Sequence, residues 1–231
     1  MTAALPAPRT PATSVLAGAD ADSALALMGL DAALLTSSLA DGIVAAMSDY
    51  SPFAPTTALG LTRWIKSVDS LRRALDSRGW AKHDAKNAPR SISEDRTMAI
   101  ALMSGDASTG HATGSPRTAR PSRQVFQSEV KRNTEFSSST FPIQAAFDLG
   151  GPAALTAPEA ESGLRTWVLL SFWDKANRAL LAELSLPMAI QDHQITRWET
   201  RIILPMTPLA PEVTKTLEGL PNEDIDFPVE A

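Results

Sequence analysis

The chain has no cysteine among its 231 residues and only one tyrosine. Without cysteine there are no disulfides, no thiolate catalysis and no zinc sites with cysteine ligands. This composition suits a cytoplasmic protein, and we expect this location. The three histidines, His83, His111 and His193, lie far apart and share no helix-type ligand spacing. The sequence therefore favours no histidine metal site, and we predict no metal and no cofactor.

Long apolar runs are also lacking, because none approaches the ~20 residues that a membrane-spanning helix needs. Residues 1–20 are rich in Ala, Pro and Thr and hold one basic residue, Arg9, without the continuous apolar core of a signal peptide. We expect 1–20 to be a mobile tail and 208–231 to be a second, acidic tail that contains proline. No membrane contact is predicted.

Charge is distributed unevenly along the chain, whose net charge is −5. Residues 60–132 carry a net charge of +7, and the rest of the chain carries −12. A basic middle and an acidic tail indicate contact with nucleic acid or an acidic protein, or attraction between two parts of one fold. For Arg72 and Arg73 a solvated helix face is the alternative. The predicted partner-binding residues are Arg72, Arg73, Arg117, Arg120, Arg123, Lys131 and Arg132.

Apolar residues at helical spacing predict helices over residues 21–30, 31–49 and about 56–77. Asp31 is the expected N-cap of the second helix, and Gly79 is the expected end of the third. The helical part of the domain therefore covers about residues 21–78.

Alternating or continuous apolar runs predict strands over residues 97–103, 166–173, 179–186 and 195–204. Prolines end the last two, Pro187 and Pro205. We predict an α+β fold in a single domain over residues 21–207, with N-terminal helices packed on a mainly antiparallel sheet at about 97–205. Residues 104–123 have no periodicity and are rich in Gly, Ser, Thr, Pro and Arg, which predicts a flexible loop.

Two sequence patterns suggest a functional site but are weak: one is typical of a phosphate-binding loop, and the other is typical of a metal-dependent nuclease. Gly105 and Gly110 have the spacing of a phosphate-binding loop, but the lysine that should follow is missing. A metal-dependent nuclease is compatible with Asp106, Glu129 and Lys131, where carboxylates hold the cation and the lysine orients water. A weaker form of the nuclease hypothesis uses Asp174 and Glu183 as the carboxylates. The structural alternative for Glu183 and Glu199 is cross-strand pairing with Arg197 or Arg201.

Spaced motifs run through residues 56–205. They are Trp64, Gly79-Trp80, Asp84, Asn87-x-Pro89, Ala99-Ile100, Gly105-Asp106, Thr109-Gly110, Trp167-x-Leu-Leu170, Glu183-Leu-Ser-x-Pro187 and Trp198-Glu-x-Arg-Ile-Ile-Leu204. Together they resemble a group of bacterial proteins without assigned function from plasmids, prophages and genomic islands. The resemblance implies an accessory role in a mobile genetic element or in conflict between phage and host, and it strengthens the interest in Asp106 and Glu183.

Three functions follow from these observations. The first is a non-enzymatic binding or accessory protein that docks on a protein or nucleoprotein partner, with nucleic acid as a further partner class. The alternatives are the metal-dependent nuclease and a structural subunit of a larger assembly. No oligomeric state is predicted.

Overall fold

The computed structural model describes residues 12–84, 87–138, 163–174 and 176–209. Within them the elements are β1 (Ser14–Leu16), α1 (Ala19–Leu27), α2 (Ala32–Ser48), α3 (Ala58–Asp76), β2 (Ala81–His83), β3 (Arg90–Ile92), β4 (Met98–Ser104), α4 (Gln124–Ser138), β5 (Arg165–Asp174), β6 (Ala179–Gln191), β7 (Gln194–Ile203) and β8 (Thr207–Pro208).

The strands form one mixed sheet in the order β1-β7-β6-β5-β4-β3-β2, and β8 pairs with β6. The pairs β1–β7 and β4–β5 are parallel, and the other pairs are antiparallel. The predicted α+β class is therefore confirmed. A parallel pair needs a long crossover, and α4 lies in the connection between β4 and β5.

Helices cover both faces of the sheet. The main core joins residues of α1, α2 and α3 to inward residues of the sheet such as Leu169 and Leu184. On the opposite face, Phe126 and Val130 of α4 pack against Val168 and Leu170. Alternate side chains of a strand point to opposite faces, so β5 has two apolar faces because helices lie on both sides of it. The helical spacing of apolar residues predicted the first helical layer but not α4.

Several boundaries differ from the predictions. Residues 12–20 belong to the fold, since β1 pairs with β7 and α1 begins at Ala19, while residues 1–11 lie outside the described residues. In the second predicted tail, Thr207 and Pro208 form β8, and residues 210–231 lie outside the described part of the chain. Gly79 follows α3 with a φ of 80°, as expected of a residue that ends a helix.

The prediction that Pro187 ends its strand is wrong, because β6 continues to Gln191. The register between β6 and β7 shifts around Pro187, and helix α4 satisfies the carbonyls there. Asn133 donates to the carbonyls of Thr166 and Pro187 at 2.9 and 3.0 Å, and its own oxygen accepts the Thr166 N–H at 2.9 Å. The amide of a buried side chain thus takes the place of a missing ladder bond.

No single helix in the described residues is long and apolar enough to span a membrane. Helices α1 and α2 together have the length and composition for a span, but they meet at an angle of 91°.

Asp31 is the N-cap of α2, as predicted, and accepts the Leu34 N–H at 2.7 Å. The Asp31→Ala variant is expected to lose about 1 kcal/mol of unfolding free energy, because that amide loses its acceptor. The bond from Arg78 and the one from Leu34 lower the pKa of Asp31 below its usual 3.8. Its contribution is therefore present above that value and is lost as the pH falls through the lowered pKa. Urea unfolding at several pH values checks this, with Asp31→Ser as the control that keeps a cap.

Candidate functional site

A cavity of about 600 Å³ lies between α3 and the start of α4. Its wall is formed by Ala101–Ser104 at the end of β4, and the segment before β3 and residues 118–123 close the sides. Leu61 and Trp64 of α3 face Val125 and Phe126 of α4 across it. Volumes of about 300–1,000 Å³ are typical of ligand-binding pockets, so the cavity is large enough to hold a small molecule or part of a partner.

The cavity exists because strand β3 is shorter than β4. The pairing of β3 with β4 covers Ser91 with Ile100 and Ile92 with Ala99, and the second half of β4 continues past it. Beyond that point, two other parts of the chain cap the edge of β4. The Trp64 indole donates to the Leu102 carbonyl at 3.2 Å, and the Ala119 N–H donates to the Ser104 carbonyl at 2.9 Å.

A buried ion pair stands in the cavity wall. Nη1 of Arg90 and Oε1 of Glu129 lie 2.5 Å apart, in contact but without the alignment of a hydrogen bond, and their side chains are 4% and 3% exposed. Nη2 of Arg90 lies 3.0 Å from Nδ1 of His83. Nε of Arg90 has no hydrogen-bond partner among the described residues. The wall therefore holds a buried guanidinium whose Nε and Nη1 make no hydrogen bond to the described residues.

Arg72 supports this wall from behind. Its guanidinium donates to the carbonyls of His83 and Arg90, both at 3.2 Å, and pairs with Asp84 at 2.6 Å. The bond from Arg72 lowers the pKa of Asp84. Arg72 was predicted to bind a partner, but the structure uses it to join the segments on either side of the β2–β3 turn.

A second buried ion pair lies on the sheet face that carries α4. Nε and Nη2 of Arg201 contact the two carboxylate oxygens of Glu183 at 3.0 and 2.5 Å, and the side chains are 2% and 0% exposed. The same carboxylate accepts the Gly110 N–H at 2.9 Å and the Ser185 hydroxyl at 2.6 Å. The predicted cross-strand pairing of Glu183 with Arg201 is confirmed. Glu199 pairs with Arg165 instead, at 2.6 Å.

Arg201 also holds the loop that follows β4. It donates to the carbonyls of Gly114 at 2.5 Å and His111 at 3.0 Å, and the Trp198 indole donates to the Pro116 carbonyl at 3.0 Å. Gly105 forms an antiparallel bridge with Thr118. The sequence predicted a flexible loop over 104–123, and in the structure these bonds join His111, Gly114 and Pro116 of this segment to the sheet.

The glycine pattern in this loop has a packing role. Gly110 has a φ of +74°, and a Cβ there would lie 3.0 Å from Leu181 and 3.2 Å from the Ala182 nitrogen. Only glycine combines this backbone conformation with so close an approach to β6. Asp106 accepts the Ser108 N–H at 3.0 Å, which makes it the first residue of the turn.

The proposed nuclease residues are not brought together. Glu129 is buried against Arg90, whereas the Lys131 side chain is 78% exposed and lies 3.8 Å from Glu135. Asp106 lies in the turn after β4. In the weaker version, Asp174 accepts from Asn177 in the β5–β6 turn, and Glu183 belongs to the ion pair with Arg201. Within the described ranges, no group of three or more His, Asp or Glu side chains could hold a metal ion.

The predicted arginine cluster is divided by the structure. Arg120 and Arg123 line the cavity, and Arg117 is exposed on the loop beside it. Arg73 is exposed on α3 and pairs with Asp69 at 3.0 Å, while Arg132 is half-buried on α4. The surface formed by Arg117, Arg120 and Arg123 is called the arginine rim below.

Sequence reasoning did not find Arg90, Trp64 or Phe126 as residues of one site. They come from a strand and two helices that meet only in the tertiary structure. The weak signal was that α4 has just two buried apolar residues, Phe126 and Val130, with Glu129 and Asn133 completing its buried face. That pattern does not predict a buried helix face, because its polar residues need partners from distant segments.

No protein-family model matches this chain, and comparisons with curated proteins and with solved structures find no match either.

Proposed function

We propose that this is a non-enzymatic binding protein that docks on an acidic surface of a protein or nucleoprotein partner through the arginine rim. The observation that carries the proposal is that the backbone of the loop bearing Arg117 is bonded to the sheet. Hydrogen bonds from Arg201 and Trp198 hold the loop that presents Arg117 against the sheet. A rigid surface loses little conformational entropy on binding, which favours affinity.

The charge of the loop supports the same proposal. Residues 104–123 contain three arginines and one acidic residue, Asp106, in a chain whose net charge is −5. Across the cavity, Leu61 and Ile65 of α3 are 39% and 48% exposed. A basic rim beside exposed apolar side chains suits a protein partner that offers carboxylates next to apolar groups.

The resemblance to proteins of plasmids, prophages and genomic islands supports an accessory role in a mobile element or in conflict between phage and host. That role names the setting in which we propose to look for the partner. Affinity capture from the host, with and without nuclease treatment, separates a protein partner from bound nucleic acid.

Reversing the charge of the rim in the triple variant Arg117→Glu, Arg120→Glu and Arg123→Glu is expected to reduce partner affinity by at least about tenfold. Attraction becomes repulsion, and the loss should shrink as salt is raised. Binding is measured by surface plasmon resonance on the captured partner at several salt concentrations, with circular dichroism to verify the fold.

The matched control is Arg96→Glu. This exposed arginine lies in the turn before β4, at the end of that strand away from the cavity. The affinity of the Arg96→Glu variant for the partner should equal that of the wild type. Unchanged capture by the folded triple variant would show that the rim is not the docking surface.

A further inference from the structure

The cavity beneath the arginine rim has the composition of a small-molecule site. Apolar side chains from three elements, Leu61, Trp64, Met103, Val125 and Phe126, form much of its lining. Ligand pockets are mostly apolar and use a few converging polar groups to set orientation. Among the described residues that line the cavity, three are arginines and one, Glu129, is acidic, so positive charge is in excess.

Arg90 is the buried polar group that points to a ligand. Its side chain is 4% exposed, Nη1 contacts Glu129 and Nη2 contacts His83, yet Nε has no hydrogen-bond partner among the described residues. A buried donor without an acceptor destabilises the fold, so a bound acceptor in this position would stabilise the protein.

The start of α4 adds a second source of positive potential. Helix α4 begins at Gln124, and its first turn lines the cavity through Val125 and Phe126. The first N–H groups of a helix have no acceptor within the helix, and they attract anions. Arg120 and Arg123 stand immediately before this turn. The start of α4, the side chains of Arg120 and Arg123, and Arg90 therefore line the same cavity.

We propose that this cavity binds a small organic carboxylate with an apolar body, its carboxylate toward Arg90 and the start of α4, and its body between α3 and α4. A carboxylate fits because guanidinium groups and backbone N–H groups both donate to it. An apolar body fits because Leu61 and Trp64 of α3 and Val125 and Phe126 of α4 line the space between the two helices. This goes beyond the proposed docking function, since it assigns a ligand to the space beneath the docking surface.

The test uses the full chain and three probes, of which two each lack one feature of the first. Laurate, below its micelle concentration, has both the carboxylate and the apolar body. Dodecanol keeps the body without the charge, and acetate keeps the charge without the body. Isothermal titration calorimetry is expected to give affinity for laurate at least about tenfold higher than for dodecanol, and no measurable heat for acetate.

Gly60→Leu is the blocking variant. Gly60 lines the cavity within α3, and a Cβ added there meets no atom within 4 Å, so the leucine side chain has open space at its base and is expected to occupy part of the cavity. Glycine is a poor helix former, so the fold should be kept or stabilised. Laurate affinity is expected to fall at least about tenfold. Asp69→Leu, which adds a leucine to α3 away from the lining residues, is the control with wild-type affinity.

Arg123→Gln removes one charge from the cavity wall without a buried ion pair at risk, since Arg123 is exposed. This variant should lower the affinity for laurate several-fold and leave the affinity for dodecanol unchanged. Equal affinity for laurate and dodecanol would overturn the carboxylate assignment, and laurate binding that survives Gly60→Leu would overturn the location. Arg117→Glu alters the rim but not the cavity wall, so lost partner capture with intact laurate binding separates the two proposals.

Discussion

Replacing Arg201 with methionine is expected to lower the free energy of unfolding by about 3–5 kcal/mol. Among the described residues, the change leaves the Glu183 carboxylate, which is 0% exposed, with the Gly110 N–H and the Ser185 hydroxyl as its donors. A buried charge that loses its ion-pair partner keeps its desolvation cost and loses the compensating attraction. Chemical denaturation at neutral pH measures the loss.

The same variant should release the loop after β4. Arg201 supplies bonds to the carbonyls of His111 and Gly114, and no other bond to these two carbonyls joins them to the sheet in the described residues. Amide hydrogen exchange and limited proteolysis are therefore expected to show increased opening of residues 105–118, whereas the strands of the sheet should exchange as in the wild type.

Two further variants make this prediction specific. The double variant Glu183→Leu with Arg201→Met removes both charges and should be more stable than Arg201→Met, because no buried charge is left without its partner. The recovery is partial, since the His111 and Gly114 carbonyls and the Gly110 N–H lose their bonds to these side chains. Arg165→Met breaks a more exposed pair, with side chains 20% and 33% exposed, and should cost less than about 1 kcal/mol. A loss of similar size in Arg201→Met and Arg165→Met would refute the prediction.

Replacing Glu129 with glutamine is expected to cost about 3–5 kcal/mol of unfolding free energy, the second large effect. Glutamine has nearly the same shape, so packing against the sheet is kept and only the charge that faces Arg90 disappears. Arg90 is 4% exposed, so its charge stays largely buried after the carboxylate is lost. Thermal and chemical unfolding give the size of the loss, and Glu135→Gln on the exposed side of α4 is the matched control.

A rescue variant also addresses the nuclease alternative. Arg90→Met with Glu129→Leu removes both charges, and we expect stability closer to the wild type than in Glu129→Gln alone. This variant lacks one of the three proposed nuclease residues but keeps the fold. Metal-dependent cleavage by the wild type that disappears in the folded double variant would favour the nuclease over the binding protein.

Much of the local structure follows from patterns along the chain. Helical spacing predicted α2 and α3, Asp31 predicted the start of α2, and the apolar runs predicted β4, β5 and β7, because these signals arise from neighbours along the chain. The sequence also predicted the α+β class and the cross-strand pairing of Glu183 with Arg201. These features depend on periodicity and on opposite charges at nearby strand positions.

The tertiary structure decided everything that depends on distant partners. Pro187 looked like the end of a strand because the sequence does not show that Asn133 donates to its carbonyl from α4. Glu129 looked like a metal ligand because nothing nearby shows that Arg90 neutralises it. The cavity arises where β3 ends before β4 does and where α3 and α4 meet from opposite faces. A buried polar group takes its role from the partner that satisfies it, and only folding brings that partner into contact.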